Sequence, residues 1–87
     1  MKAVILYHKT GENFRAIEEF ANDLKRDTSK EVVLVDLESP EGDQMAKVYD
    51  ILNYPAVLIL REDGQLSKGW QNGSLPASAE VLGYLNV

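Results

Sequence analysis

One stretch of this sequence decides the fold, YDILNYPAVLIL at residues 49–60. The residue before a proline disfavours the helical region of backbone space, so a helix that approaches Pro55 from the N-terminal side is expected to end before it. The aliphatic run Ala56–Leu60 then predicts a β-strand. It is followed by Asp63-Gly64, a pair that readily adopts positive φ in hairpin turns. The stretch therefore predicts a helix end, a proline turn, a strand and a hairpin, in that order.

The sequence before this stretch predicts two strands and a long helix. Lys2–His8 contains a continuous apolar run without alternation, which is typical of a central strand buried on both faces. Glu12–Arg26 carries apolar residues at spacings of three and four, which predicts an amphipathic helix of about four turns. Glu31–Leu37 contains the run Val-Val-Leu-Val and predicts a second buried strand.

A second helix is predicted by its start signals and by its apolar spacing. Ser39 can accept a hydrogen bond from a free backbone N–H, and Pro40 suits the first helical position. The apolar spacing then predicts four residues on the buried face of this helix: Met45, Val48, Tyr49 and Leu52.

The remaining segments complete an α/β topology. Leu66–Gln71 is more polar and predicts a fourth strand nearer an edge, and Pro76 is predicted to open a last helix that reaches Leu85. The order is β-α-β-α-β-β-α, in which the first unit gives two parallel strands and the hairpin gives two antiparallel strands. A four-stranded mixed sheet with helices on both faces buries the apolar residues of every predicted helix and strand. One domain, residues 1–87, is expected from the length.

Composition and charge exclude several classes of protein. The sequence has no cysteine, which rules out disulfides, thiolate metal sites and thiol catalysis together. The net charge is −5 and the nine basic residues are scattered, which argues against nucleic acid as a partner.

No segment approaches the roughly 18 apolar residues of a membrane span. The apolar run after Lys2 is too short for a signal peptide, so we expect a cytoplasmic protein that contacts no membrane. No phosphate loop, catalytic triad or metal motif is present, so neither a cofactor nor a metal is expected.

In this order of elements the chain resembles the thioredoxin/glutaredoxin superfamily. The resemblance is carried by strand Val4–Tyr7 with its loop into a helix, by residues 49–60 with the turn that follows, by Gly69-Trp70 and by the last helix. It implies a cis peptide bond between Tyr54 and Pro55.

The same resemblance identifies what this chain lacks. The positions that match the redox cysteine pair of the superfamily are Glu12 and Arg15 or, one residue earlier, Gly11 and Phe14. A thiolate is the nucleophile in thiol–disulfide exchange, and neither pair offers one. The chain is therefore expected to be a redox-inactive member without the Cys-x-x-Cys motif, and no catalytic residue is predicted.

The resemblance also implies where a ligand would bind. In this superfamily the first helix points its N-terminus at the functional groove, and the residue before the cis-proline offers backbone groups to an extended peptide or to glutathione. We therefore expect a protein- or peptide-binding module. The alternative is a glutaredoxin-like domain that retains binding of a glutathione-like thiol without its own redox cysteine. The residues predicted to form the groove are Lys9, Thr10, Gly11, Glu12, Tyr54, Pro55 and Asn72.

Two interpretations remain open for the start of the first helix. Glu12 can be a first-turn carboxylate with Thr10 as the cap, since both residue types satisfy free N–H groups or the helix dipole. Alternatively, Lys9 and the helix end hold a carboxylate of the partner.

Several other residues are expected to have structural roles. His8 is predicted to be a surface or hydrogen-bonded residue, because a lone histidine is a poor metal site. Trp70 is predicted to pack beneath the last helix, with an exposed patch formed with Tyr84 as the alternative. Four acidic residues are expected to be solvated near a helix start rather than to bind a cation: Asp36, Glu38, Glu41 and Asp43.

Overall fold

The computed structural model describes residues 1–86 and has the predicted order of elements. The sheet order is β2-β1-β3-β4, with β1 and β2 parallel and the other two pairs antiparallel. The α/β class and the mixed four-stranded sheet are thus confirmed. The elements are β1 (Lys2–Tyr7), α1 (Phe14–Asp27), β2 (Glu31–Asp36), α2 (Pro40–Val48), β3 (Ala56–Leu60), β4 (Leu66–Trp70) and α3 (Ser78–Leu85).

The two central strands are the two segments with continuous apolar runs. Every residue of β3 is buried, and so is every residue of β1 after Lys2. The two strands pair antiparallel, with Leu6 opposite Ala56 and Val4 opposite Leu58. This antiparallel pairing places the C-terminal end of β1 beside the N-terminal start of β3. Strand β4 is partly exposed and lies at the end of the sheet order, as its polarity predicts.

Helices cover both faces of the sheet, so there are two apolar cores. On one face, Ile5 and Tyr7 of β1 belong to a cluster with Leu24 of α1 and with Val81 and Leu85 of α3. The opposite face carries a second cluster, in which Met45, Ala46 and Tyr49 pack against buried residues of β1 and β3. Within residues 1–86, no helix is long and apolar enough to cross a bilayer.

The end of α2 differs from the prediction. The helix ends at Val48, Asp50 has a positive φ of 54°, and the N–H of Ile51 donates to the carbonyl of Ala46 at 2.8 Å. A left-handed residue followed by this hydrogen bond is a Schellman helix end, which here uses aspartate in place of the usual glycine. The chain therefore leaves the helical spiral before Leu52. Val48 and Leu52 are 63% and 82% exposed, so their predicted place on the buried face is wrong, and Ile51 is buried instead.

The starts of the helices are confirmed at α2 and corrected at α1 and α3. The Ser39 hydroxyl accepts from the Gly42 N–H at 3.0 Å, with Pro40 at the first helical position, as predicted. By contrast, α1 begins at Phe14 after Asn13, and α3 begins at Ser78, two residues after Pro76. The N-cap of α1 makes no side-chain hydrogen bond.

Candidate functional site

A small cleft opens where β1 ends, where α1 begins and where the chain enters β3. Its volume is about 110 Å³, which suits one side chain better than a whole drug-sized ligand. The residues that line it come from these three segments: Tyr7, His8, Gly11, Glu12, Asn13, Phe14, Ile17, Tyr54 and Pro55.

A second cavity of about 230 Å³ adjoins the cleft beside α1. Three residues line both cavities, namely Asn13, Ile17 and Pro55. The second cavity is completed by Ala16 of α1 and by the loop 73–75 that follows β4. We refer to the two cavities together, with the residues that line them, as the Pro55 groove.

The wall of the first cavity is held by the turn before β3. The Tyr54–Pro55 peptide bond is cis, the isomer that the resemblance implies. The Tyr54 hydroxyl donates to the carbonyl of Ile51 at 3.0 Å, which ties the ring to the Schellman end of α2. The His8 ring meets the Tyr54 ring edge to face, with centroids 5.4 Å apart and an angle of 78°. Edge-to-face pairs of this kind are favourable, so the two rings form a fixed aromatic wall.

The structure brings together four of the seven residues predicted for the groove. Gly11, Glu12, Tyr54 and Pro55 all line the first cavity. Glu12, however, precedes α1, which has no acidic residue in its first turn. The interpretation of Glu12 as a first-turn carboxylate is therefore wrong.

The other three predicted residues line neither cavity. The backbone N–H of Lys9 faces Asp36 Oδ1 at 3.4 Å, and the Thr10 hydroxyl lies 3.4 Å from Glu38 Oε1, so Thr10 does not cap α1. These contacts tie the β1–α1 loop to the end of β2. Asn72 Oδ1 accepts from the N–H and the hydroxyl of Ser74, which closes a local turn. The loop 73–75 lines the second cavity in place of Asn72.

Sequence reasoning missed five residues of the first cavity. The apolar spacing within Glu12–Arg26 predicts Phe14 and Ile17 on the buried face of α1, yet both also line the cavity, and Phe14 is 37% exposed. The sequence predicts Tyr7 only as a strand residue, and His8 only as a surface or hydrogen-bonded residue. The sequence does contain a signal for the true start of α1. Asn13 is a preferred N-cap residue, which predicts that the helix begins at Phe14.

Tyr7 forms part of the cleft although it belongs to the core. Its side chain is 5% exposed. Burial raises the pKa of the Tyr7 phenol above its usual value, and the negative charges of Glu18 and Asp36 raise it further. Ionisation of the Tyr7 phenol is therefore disfavoured in the folded protein.

This pKa shift predicts a loss of stability at alkaline pH. An unfolded tyrosine ionises near pH 10, so the neutral phenol of folded Tyr7 stabilises the fold fully below about pH 10. That contribution is lost as the pH rises from about 10 through the higher pKa of the folded state. We expect Tyr7→Phe to reduce the fall in the free energy of unfolding between pH 8 and pH 11, measured by urea unfolding. An unchanged fall would show that Tyr7 ionises as freely in the folded state as in the unfolded one.

The aromatic residues near the last helix do not contribute to the groove. Trp70 is half-buried against the core beneath α3, as predicted, and its Nε1–H donates to Glu80 Oε1 at 3.2 Å. The Tyr84 ring is 42% exposed and meets Trp70 edge to face at 5.6 Å. Lys68 Nζ lies 5.7 Å and 5.6 Å from the two ring centroids. The chain's own lysine therefore covers this aromatic pair.

Structural comparison identifies the fold. The structure is similar to thioredoxin 1 from Thermosipho africanus, with a TM-score of 0.73 and 14% identity over 99% of this chain and 91% of that one. It is similar to the reduced Schistosoma mansoni thioredoxin pre-protein, with a TM-score of 0.75 and 18% identity over 98% and 75% of the two chains. A malarial protein matches with a TM-score of 0.73 and 10% identity over 98% and 92%. No family model and no curated protein sequence matches this chain.

The chain thus has a thioredoxin-like fold and lacks the cysteine pair that defines thioredoxin chemistry. At these identities the comparison concerns the fold alone. Within residues 1–86, no group of three or more histidine and acidic side chains is placed to hold a metal ion.

Proposed function

We propose that this chain is a non-catalytic thioredoxin-like domain that binds an extended segment of a partner protein in the Pro55 groove. The observation that carries the proposal is that two open cavities adjoin and share Asn13, Ile17 and Pro55 in their linings. Two adjoining cavities, each with apolar residues in its wall, suit successive side chains of an extended peptide. A first cavity of about 110 Å³ is well below the roughly 300–1,000 Å³ of pockets that enclose small molecules.

The backbone beside the groove supports the same mode of binding. Among the described residues, the N–H and C=O of Tyr54 make no backbone hydrogen bond. An extended peptide that runs past Tyr54 would satisfy both groups, because main-chain hydrogen bonds supply much of the affinity when a strand is added to a protein surface. Side chains of the peptide would then enter the cavities on either side of Pro55.

The charge of the groove favours a peptide over glutathione. Glutathione carries two carboxylates, while the first cavity contains the carboxylate of Glu12. Among the described residues that line the two cavities, none is a lysine or an arginine. We therefore expect reduced glutathione at millimolar concentration to leave the amide resonances of residues 9–12, 54–56 and 72–74 unshifted. Shifts confined to these residues would support the glutaredoxin-like alternative instead.

A peptide selection with two matched variants tests the proposed function. A random peptide library is selected against the wild-type protein, and the enriched peptides are synthesised. We expect them to shift amides of residues 11–17, 54–56 and 73–75. Ala16→Trp fills the second cavity with an uncharged ring and should weaken binding about tenfold, a loss of about 1.4 kcal/mol.

Val48→Trp is the matched control. Val48 is also an exposed helical residue, but it lies on α2 at the opposite face of the sheet. This variant should bind the selected peptides like the wild type. If both variants bind equally well, or if the peptides shift α2 instead, the partner does not use the Pro55 groove. Thermal unfolding of both variants verifies that each remains folded.

A further inference from the structure

Among the described residues, the Glu12 carboxylate in the first cavity of the Pro55 groove forms no ion pair. Glu12 forms part of the wall of this cavity. The ion pairs of the described residues are Arg26–Asp23 at 2.9 Å and Lys47–Asp43 at 3.0 Å, and both lie on the surfaces of helices away from this cavity. Neither includes Glu12. A carboxylate in this position attracts a cation into the cavity.

Two further acidic residues influence the charge of Tyr7, which lines this cavity. The negative charges of Glu18 and Asp36 contribute to the raised pKa of Tyr7, whose ring lies in the cavity. The largest cause of that raised pKa is burial, which disfavours any charge, whereas the contribution of Glu18 and Asp36 also favours a cation at the same place. The cationic side chains of Lys9 and Arg15 are near in sequence, but neither residue lines the cavity. Among the described residues, the lining of this cavity therefore contains one carboxylate, that of Glu12, and no lysine or arginine.

The remaining wall suits the stem of a long side chain. Phe14, Ile17 and Pro55 give it an apolar side, and the rings of His8 and Tyr54 form an aromatic side. Lysine and arginine bury their aliphatic stems on apolar surfaces while the charged head stays at a polar rim. Aromatic rings add a favourable interaction with the head when it lies over their faces.

We propose that this cavity selects a basic side chain, lysine or arginine, of the bound segment. The stem lies against Phe14, Ile17 and Pro55, and the charged head pairs with the Glu12 carboxylate. This inference rests on the proposed function, since it names the residue type that enters the groove. It predicts partners whose binding segment is basic, which complements the net charge of −5 of this chain.

Three four-carbon probes test the selectivity without any peptide. They are n-butylammonium, butan-1-ol and butyrate, which are similar in size and differ in charge. In amide-detected NMR titrations at low salt we expect n-butylammonium to shift residues 8, 12, 14 and 54, with an affinity about fivefold higher than that of butan-1-ol. Butyrate should leave these residues unshifted. The preference for n-butylammonium should shrink as sodium chloride is added, because salt screens exposed charges.

Two charge-neutralising variants assign the effect to Glu12. Glu12→Gln should remove most of the preference for n-butylammonium over butan-1-ol and leave the affinity for butan-1-ol unchanged. Glu19→Gln removes the same charge from an exposed position of α1 outside the groove and should keep the preference. Equal affinities of the wild type for the cation and the alcohol, or no shift with n-butylammonium, would overturn the inference. The proposed function would still be tested separately by the peptide selection, because that experiment depends on the second cavity and requires no cation.

Discussion

Gly42→Ala is expected to destabilise this protein by about 3 kcal/mol, the upper part of the range for over-packed sites. Gly42 is a buried residue in the first turn of α2. A Cβ atom at this position would overlap the carbonyl oxygen of Asp36 and would lie 2.8 Å from its carbonyl carbon and 2.9 Å from the Leu37 Cα. All three atoms belong to the backbone at the end of β2, so no side-chain rotation relieves the clash. Helix α2 must move away from the sheet.

The loss is large for a domain of this size. Small domains are stable by only about 5–15 kcal/mol, and about 3 kcal/mol corresponds to a fall of about 15 °C in Tm. Urea and thermal unfolding of the purified variant measure both quantities. A variant with the wild-type Tm would show that α2 does not pack this closely against β2.

Gly83→Ala is the matched control for Gly42→Ala. Gly83 lies inside α3, and an added Cβ would meet no atom of the other described residues within 4 Å, apart from its own helix. Alanine has a higher helix propensity than glycine, so this variant should be more stable than the wild type by about 0.5–1 kcal/mol. The same chemical change thus has opposite expected signs at two helical positions, which separates a backbone clash from a general effect of the substitution.

The strands could be predicted from the sequence because their signals are local. The run Ala56–Leu60 is aliphatic throughout and gives β3 with the predicted bounds, and Ser39 followed by Pro40 marks the start of α2. The end of α2 could not be predicted from apolar spacing. Periodicity assumes that every residue continues the helix, and one left-handed residue at Asp50 breaks that assumption. Aspartate tolerates this conformation without being its usual marker, so the sequence contains no strong stop signal there.

The groove was predictable only in part, because neighbours in sequence do not face the same way. Gly11 and Glu12 line the first cavity, whereas Lys9 and Thr10, immediately before them, are held at the end of β2 by Asp36 and Glu38. Those contacts join residues 27 and 28 positions apart, and no local pattern records them. The error at Phe14 is of the opposite kind. Its apolar spacing predicts a core residue, but Phe14 lies at the first turn of α1, where the apolar face of the helix passes from the core to the groove.

Installing the missing thiols is expected to give this protein a redox activity that the wild type lacks. The wild type has no cysteine and should reduce insulin disulfides no faster than buffer. In the double variant Glu12→Cys/Arg15→Cys, the first thiol lies beside Pro55 in the groove, just before the N-terminus of α1. The positive end of the helix dipole lowers the pKa of a nearby thiol below its usual value of about 8.5 and raises its thiolate fraction at neutral pH. Turbidity from insulin reduction with dithiothreitol as the electron donor measures the gain, and thiolate absorbance at 240 nm measures the pKa.

A second pair of cysteines separates the groove from the mere presence of two thiols. Glu19→Cys/Asn22→Cys has the same spacing on exposed positions of α1, where side chains three apart lie about 5–6 Å from each other. This pair lies away from Pro55 and from the helix N-terminus, so we expect it to show an ordinary thiol pKa and insulin reduction close to the buffer rate. Equal activity of the two pairs would show that the Pro55 groove gives a thiol no advantage. Activity only in the first pair would mean that this groove remains able to present an extended polypeptide to a residue at position 12, the place where the wild-type chain carries a carboxylate.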